Sequence, residues 1–504
     1  MTRPGRPRVH CLLRRGVLRA LSALGGTAVI AALGSPPRAR DPSARASGAQ
    51  PGAPSTARIG PPDPQKAREI RAEFLHAWSG YRKYAWGHDE VLPVSGGYRE
   101  FFSSRHSVGL SIVEALDTHY VMGLDDEVDR CLRWIRARLD FDLDTDFHVF
   151  EAIIRLVGGL LAGHLATGDR QLLALSVDLA DRLLPAFTKS PTGMPYRQVN
   201  LRTGAVSGAR VPLAEIGTNI LELGVLSQLT GDPRYFRAAK GALAAVVGRR
   251  SSLDLVGTIM DVESGRWIDR SDIGPNPPAD SFYEYLWGGW AMFGDRDCLR
   301  WFRMFNASLR KHLAERAGGL LWFKQVDFRT GTLLGRRQSC LAACVLSVGG
   351  DDALAADYHR SWTAVQDRYL VLPEEIEYSR LSVLTPRNAL RPEYANAAFD
   401  LYRRTGDPYY RATAWRYFQY LKTYHRVPGG YTIVTDVTKR PMPKGDYCPS
   451  YVFAENFKWL YLTFADARRF DYNTGYLSTE AKVLRGLRGR VVPDTVTGKT
   501  AQDL

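Results

Sequence analysis

From residue 63 onward apolar positions recur mostly at helical spacing. Asp63-Pro64 offers a capping acid followed by proline at the first helical position, and Ile70, Phe74, Trp78 and Tyr81 then share one face, which predicts a helix. A longer period overlies this one. Gly-Asp pairs stand at Gly168-Asp169, Gly231-Asp232, Gly294-Asp295, Gly350-Asp351 and Gly406-Asp407, separated by 63, 63, 56 and 56 residues. Each is flanked by amphipathic runs, such as AIIRLVGGLLAGHLA before the first pair and RQLLALSVDLADRLLPAF after it. Glycine ends a helix in the left-handed conformation and Asp caps the next, so these pairs predict helix–turn–helix joints. Repeated helical hairpins must bury their apolar faces against neighbours. Periods near 60, longer than common solenoid repeats, with polar-aromatic loops between hairpins, favour a closed α/α barrel over an open solenoid. Near the C-terminus, Gly429–Val437 alternates like a strand, 439–450 reads as loop, and Tyr451–Phe464 as a last apolar helix.

At 504 residues and 45% apolar the chain can bury a large core, and the repetition argues for one folded domain rather than several. The net charge of +14 suggests nucleic acid until it is located. Residues 1–46 hold nine Arg against Asp41, so this segment carries +8 and the rest only +6, with both signs mixed and no basic run interleaved with aromatics. Nucleic-acid binding is therefore excluded. Ala20–Gly34 is an apolar run too short for a usual membrane span and suited to an export signal. Together with Leu13–Arg19, which resembles a twin-arginine signal, it marks residues 1–34 as an export segment, the alternative being a type II anchor. Residues 35–62 are Pro, Ala, Ser and Gly with little to bury and predict a disordered linker. The folded domain is expected over 63–484 and a loose tail over 485–504. Of six Cys none forms a CxxC or Cys/His metal pattern, and Cys340 and Cys344, four apart on an expected helix, suit a disulfide poorly. Free, buried thiols are expected.

Three acids stand where a helix begins. Asp280 follows a rigid Pro-Pro-Ala lead in PPADSFYEYL, Glu151 ends a polar loop in DFHVFEAIIR, and Glu393 follows Pro392 in ALRPEYANAAF. Each alone is accounted for by capping and the helix dipole. A ring of hairpins, however, presents its loops at one mouth, where acids far apart in sequence converge. Glycoside hydrolysis needs such convergence: one carboxyl to protonate the leaving oxygen and another to attack or to activate water, the latter implying inversion at a separation of roughly 6.5–9.5 Å.

Eight blocks carry a family resemblance in their order: AWSGYRKYAWGHDEVLPVS, ALDTHYVMGLDDE, VFEAIIRLVGGLLAGHLATGD, LLPAFTKSPTGMPYRQVN, EIGTNILELGVLSQLTGDPRY, ADSFYEYL, LRPEYANAAFDLYRRTGD and STEA. Over about residues 68–483 the chain resembles class I α-1,2-mannosidases, glycoside hydrolase family 47. The resemblance implies an all-α (α/α)7 barrel plugged by a small C-terminal β-hairpin. It also implies one calcium ion and inverting removal of terminal α-1,2-linked mannose from oligomannose glycans or mannosides; a monomer needing no protein partner is expected. Matched by position, Glu151 would protonate the leaving oxygen through a water, Glu393 would be the base, and Asp280 the third essential carboxylate. Thr479 would bind calcium through its backbone and side-chain oxygens, with Glu455 and Glu480 holding the ion's waters. Arg155, Glu222, Glu455 and Tyr451 would contact the sugar, Tyr451 standing where a Phe is expected.

The departures from the family pattern are specific. Asn396 replaces a second Glu three residues after Glu393, which removes a negative charge from the ion's surroundings and predicts weaker calcium binding. Pro449-Ser450 replaces Glu-Ser, Cys340-Leu341-Ala342-Ala343 replaces His-Leu-x-Cys, and STEAKV replaces TEAHP. With Ala343 and Val365 at the expected cysteine positions, the disulfide common in the eukaryotic enzymes is expected to be absent. Two rival readings compete. One is a mannose-glycan-binding protein that has lost turnover, against which the intact trio of acids argues. The other is a calcium-independent α/α-barrel glycosidase, which Thr479 in STEA disfavours.

Overall fold

Helix α1 (Pro64–Tyr84) starts as its capping pair dictates: the Asp63 side chain accepts a hydrogen bond from the Lys66 N–H, and Pro64 occupies the first turn. This computed structural model describes residues 59–349 and 351–488. The export segment, residues 35–58 of the linker, Cys11, Gly350 and the tail beyond 488 lie outside the described residues.

The hairpins follow in chain order. They are α2 (Leu110–Val121) with α3 (Asp125–Arg138), α4 (Val149–Thr167) with α5 (Arg170–Leu183), and α6 (Ile220–Thr230) with α7 (Pro233–Val247). Next come α8 (Asp280–Phe293) with α9 (Arg296–Ser308), the 3₁₀ turn Cys340–Cys344 with α10 (Asp352–Tyr369), α11 (Glu393–Thr405) with α12 (Pro408–Tyr424), and α13 (Phe457–Phe464), which pairs with α1. Gly168, Gly231, Gly294 and Gly406 each close a helix at φ between 67° and 75°, a region open to glycine without a Cβ clash. Asp169, Asp232, Asp295 and Asp407 then accept hydrogen bonds from backbone N–H groups of the next helix, as Asp351 does before α10.

The first member of each hairpin faces inward. Helix α2 packs on α4, α4 on α6 and α6 on α8; the 3₁₀ turn packs on α11, α11 on α13, and the π turn Val452–Asn456 before α13 packs back on α2. Cys344 Sγ donates to Glu284 Oε1 at 3.5 Å and joins the 3₁₀ turn to α8. The ring is thereby closed with seven inner elements, as expected. Cys340 and Cys344 lie on this tight turn rather than on an α-helix face, and all five described cysteines are free and buried. Helix α4 is long and apolar enough to cross a membrane, yet its most apolar window is 83% buried, as an inner wall helix must be.

All inner helices run the same way, so their ends sort to opposite mouths. The joints at Gly168, Gly231, Gly294 and Gly406 lie at one. The other is built of loops and four three-stranded antiparallel sheets, in which Phe147, for example, lies opposite Val199. Three of these strands feed directly into an inner wall segment: Asp146–His148 into α4, Arg210–Pro212 into the short helix Leu213–Gly217, and Arg337–Ser339 into the 3₁₀ turn.

Two sequence expectations change. The strand read over Gly429–Val437 reduces to Gly430–Tyr431, paired with Arg426–Val427. Beyond it Val434 bridges Asn388 and Lys444 singly, and the apolar alternation instead buries Val434 and Val437 with Val371 and Met442 in a small satellite cluster. At the C-terminus the fold continues past 484. Val483–Arg485 forms a hairpin with Tyr476–Leu477, and buried Leu487 bridges Phe470.

Candidate active site

The first turns of the inner helices open on one cavity of about 230 Å3 at the sheet-bearing mouth. It is lined by eight of the nine expected site residues: Glu151, Arg155, Asp280, Glu393, Tyr451, Glu455, Thr479 and Glu480. Residues 151 and 480 are thus brought together across most of the chain. Glu222 is not among the lining residues. It is buried in the wall, where the Tyr285 hydroxyl donates to it at 2.7 Å and burial pushes its carboxyl up to about 8.

Two of the lining residues ride on locally widened helix. The wall helix α4 enters as one α turn, Val149–Glu151, and continues as a π turn over Ala152–Val157 that carries Arg155. A further π turn, Val452–Asn456, carries Glu455. Such turns gather at functional sites because they re-aim side chains without breaking the helix. Arg155 Nε donates to Glu151 Oε2 at 2.6 Å and its Nη1 to Glu480 Oε2 at 2.7 Å, so one guanidinium ties the wall acid to the hairpin acid. Glu114 lies 3.4 Å from the same Nη1 and also accepts from Lys482 Nζ at 3.1 Å. Burial opposes its ionisation, but Lys482 and Arg155 together hold its carboxyl below the usual range.

Two guanidiniums approach the Tyr451 ring, with Arg155 Cζ at 5.7 Å and Arg391 Cζ at 5.5 Å from its centroid. Its hydroxyl donates to the Ala389 carbonyl. Arg391, which sequence reasoning passed over although it stands two residues before Glu393, also bonds Glu374 Oε1 at 3.3 Å. Burial pushes Glu393 up to about 7 and Asp280 up to about 6, and the Arg391 charge holds both below where burial alone would leave them.

Thr479 stands at the tip of the C-terminal hairpin, and what surrounds it holds the turn tight. Ser478 N–H donates to the Lys482 carbonyl at 3.0 Å, and Ala481 takes a left-handed φ of 51°. Buried Lys458 bridges the Ala481 carbonyl and Asp117, and Asp117 Oδ2 also accepts from Val483 N–H at 2.9 Å. These contacts fix Thr479 in the cavity beside Glu284, Glu455, Glu480 and Glu393.

Glu284 is the second residue missed in the sequence, although its place one helical turn beyond Asp280 put it on the same face. Burial, then the Asp280 charge, pushes its carboxyl up to about 8, while a hydrogen bond from Thr479 works the other way. Glu455 and Glu480 are raised too, by burial and, for Glu455, by the neighbouring Glu480 and Glu393 charges. Glu393 Oε2 is buried without a hydrogen-bond partner among the described residues. Four carboxyls that cannot all ionise together, around a threonine, form an oxygen-rich donor set of the kind a hard dication neutralises. Among the described residues no three acids, histidines or cysteines are grouped to grip an ion directly. A calcium ion would therefore rest on Thr479 and on waters held by the carboxylates.

Comparisons with known proteins agree with this architecture. The chain is 34% identical over 445 residues to alpha-mannosidase I MNS5 of Arabidopsis thaliana, covering 82% of this chain and 76% of that protein. It is 32% identical over 451 residues to mannosyl-oligosaccharide 1,2-alpha-mannosidase IB of Homo sapiens, covering 83% and 70%. The solved alpha-1,2-mannosidase from Trichoderma reesei shares the fold at a TM-score of 0.78 and 24% identity, covering 85% of this chain and 100% of that one. The model of glycosyl hydrolase family 47 matches residues 73–486. Running as that match does from within the first helix to the closing hairpin, the chain belongs to glycosyl hydrolase family 47.

Proposed function

We propose that this exported chain is a calcium-dependent exo-glycosidase that hydrolyses terminal α-1,2-linked mannose from oligomannose glycans with inversion. One observation carries the reading: Glu151, Asp280 and Glu393, from three different inner helices, line a single cavity with Thr479. In this reading the terminal sugar stacks on Tyr451, whose ring the two guanidiniums hold in place. Glu393 is the base that takes a proton from the attacking water, a task suited to a carboxyl whose burial brings it near neutral pH. Glu151, oriented by Arg155, delivers a proton to the leaving oxygen through a water, and Asp280 orders the reacting groups from α8. Calcium, when bound, supplies positive charge for the buried carboxylates and orients the sugar's adjacent hydroxyls.

The test is proton NMR of early product from an α-1,2-linked mannobiose. Initial β-mannose, abolished by a chelator and restored by calcium, is expected. Initial α-mannose would overturn inversion, and tight glycan binding without any release would make the chain a lectin-like binder.

A further inference from the structure

Asn396 stands one turn beyond Glu393 on α11, where the family pattern has a second acid. It lines the catalytic cavity and also a second cavity of about 170 Å3 behind it; Thr479 and Glu284 line both, so these three residues form the partition. The second cavity contains a further acid. Asp400, one more turn along α11, lines it and accepts two hydrogen bonds on Oδ2, from Asn396 Nδ2 at 3.0 Å and from Ser347 Oγ at 2.9 Å. A side-chain amide has a donor end and an acceptor end, and a carboxylate can bond only the donor end. With its NH2 bound to Asp400, the Asn396 amide has its oxygen left for the catalytic cavity.

The geometry points to Asp400 as a positioning residue for the cation. It supplies from the far side of the partition the acid that Asn396 lacks, orienting and polarising the amide so that its oxygen accepts from a water on the ion. This rests on the calcium reading above. The negative charge has thus moved one helical turn outward, and a neutral acceptor held by a carboxylate stands in its former place. Partners of this kind, one bond removed from the ion's own shell, contribute measurably to affinity because they fix the group that does the binding.

Calorimetric titration of calcium into the chelator-stripped full chain tests this. Asp400→Asn, which can no longer dictate the direction of the amide, is expected to weaken calcium binding by about tenfold or more. Asn396→Leu, which removes the relay and keeps Asp400, is expected to weaken it comparably, and the double variant no further than the weaker single, since both act through one amide. Asn396→Glu in the Asp400→Asn background is expected to recover affinity. Calcium affinity unchanged in Asp400→Asn, or in Asn396→Leu should the first variant fold poorly, overturns the inference and leaves the calcium reading standing. A parent chain that binds no calcium overturns both.

Discussion

Glu393 combines a buried oxygen, unpartnered among the described residues, with a raised proton affinity, and the two together define what its replacement does. Glu393→Gln keeps the shape of the side chain and removes the base. Its turnover is expected to fall by about 100-fold or more while affinity for mannobiose is retained, as steady-state kinetics and calorimetry would show. At Tyr451 the ring and the hydroxyl separate. Tyr451→Phe loses one hydrogen bond to the Ala389 carbonyl and keeps the ring and its contacts with Arg155 and Arg391, so kcat/KM is expected to stay within about tenfold. Tyr451→Ala removes the platform, and an additional loss of about 1.4–2.7 kcal/mol, tenfold to a hundredfold in kcat/KM, is expected.

At the level of helices, the direction of each inner strand-to-helix entry explains why acids over a hundred residues apart meet. An acid in the first turn is placed at the sheet-bearing mouth, and the Gly-Asp joint that ends the helix is placed at the other. The joints are therefore where substitutions should test stability without touching chemistry. Gly406 takes φ 69°, and Gly406→Ala forces a Cβ into the left-handed region. A loss of about 1 kcal/mol, read from the midpoint of urea unfolding, is expected with kcat unchanged. The two π turns at the cavity belong to this scale as well. Nothing in AIIRLV or VFAEN separates a π turn from an α turn, because local spacing is apolar in both; the register is set by the hairpin and ring packed against it.

Across the whole molecule, several groups that no local pattern exposes share the barrel's interior. Lys482 and Glu114 are both fully buried and pair across 368 residues of chain, so Lys482→Met leaves Glu114 with only the more distant Arg155 charge, and a loss of about 3 kcal/mol in urea unfolding is expected. His119 is enclosed by aromatics, 5.1 Å from the Phe74 ring and 4.4 Å from the Trp78 ring, with neither ring nitrogen bonded among the described residues. Burial, helped by the Lys458 charge, lowers its pKa from 6.5 to about 3. The folded state thus refuses a proton that the unfolded chain accepts below 6.5, so this residue's contribution is intact above that pH and is lost progressively toward 3. His119→Phe keeps the ring packing and removes the penalty, and its stability relative to the parent is expected to rise by about 2 kcal/mol between pH 8 and pH 5. What could be read directly from the chain was local: capped helix starts, glycine-ended joints at regular intervals, acids following rigid leads, and thiols without a metal pattern. Those follow from backbone geometry and short-range hydrogen bonding, which a few neighbouring residues dictate. The wall position of Glu222, the partition of Thr479, Glu284 and Asn396, and the link from Asn396 to Asp400 were decided by the tertiary structure. Closing seven inner elements into a ring and inserting a hairpin sets which buried charges must face one another, and burial then sets how each one ionises.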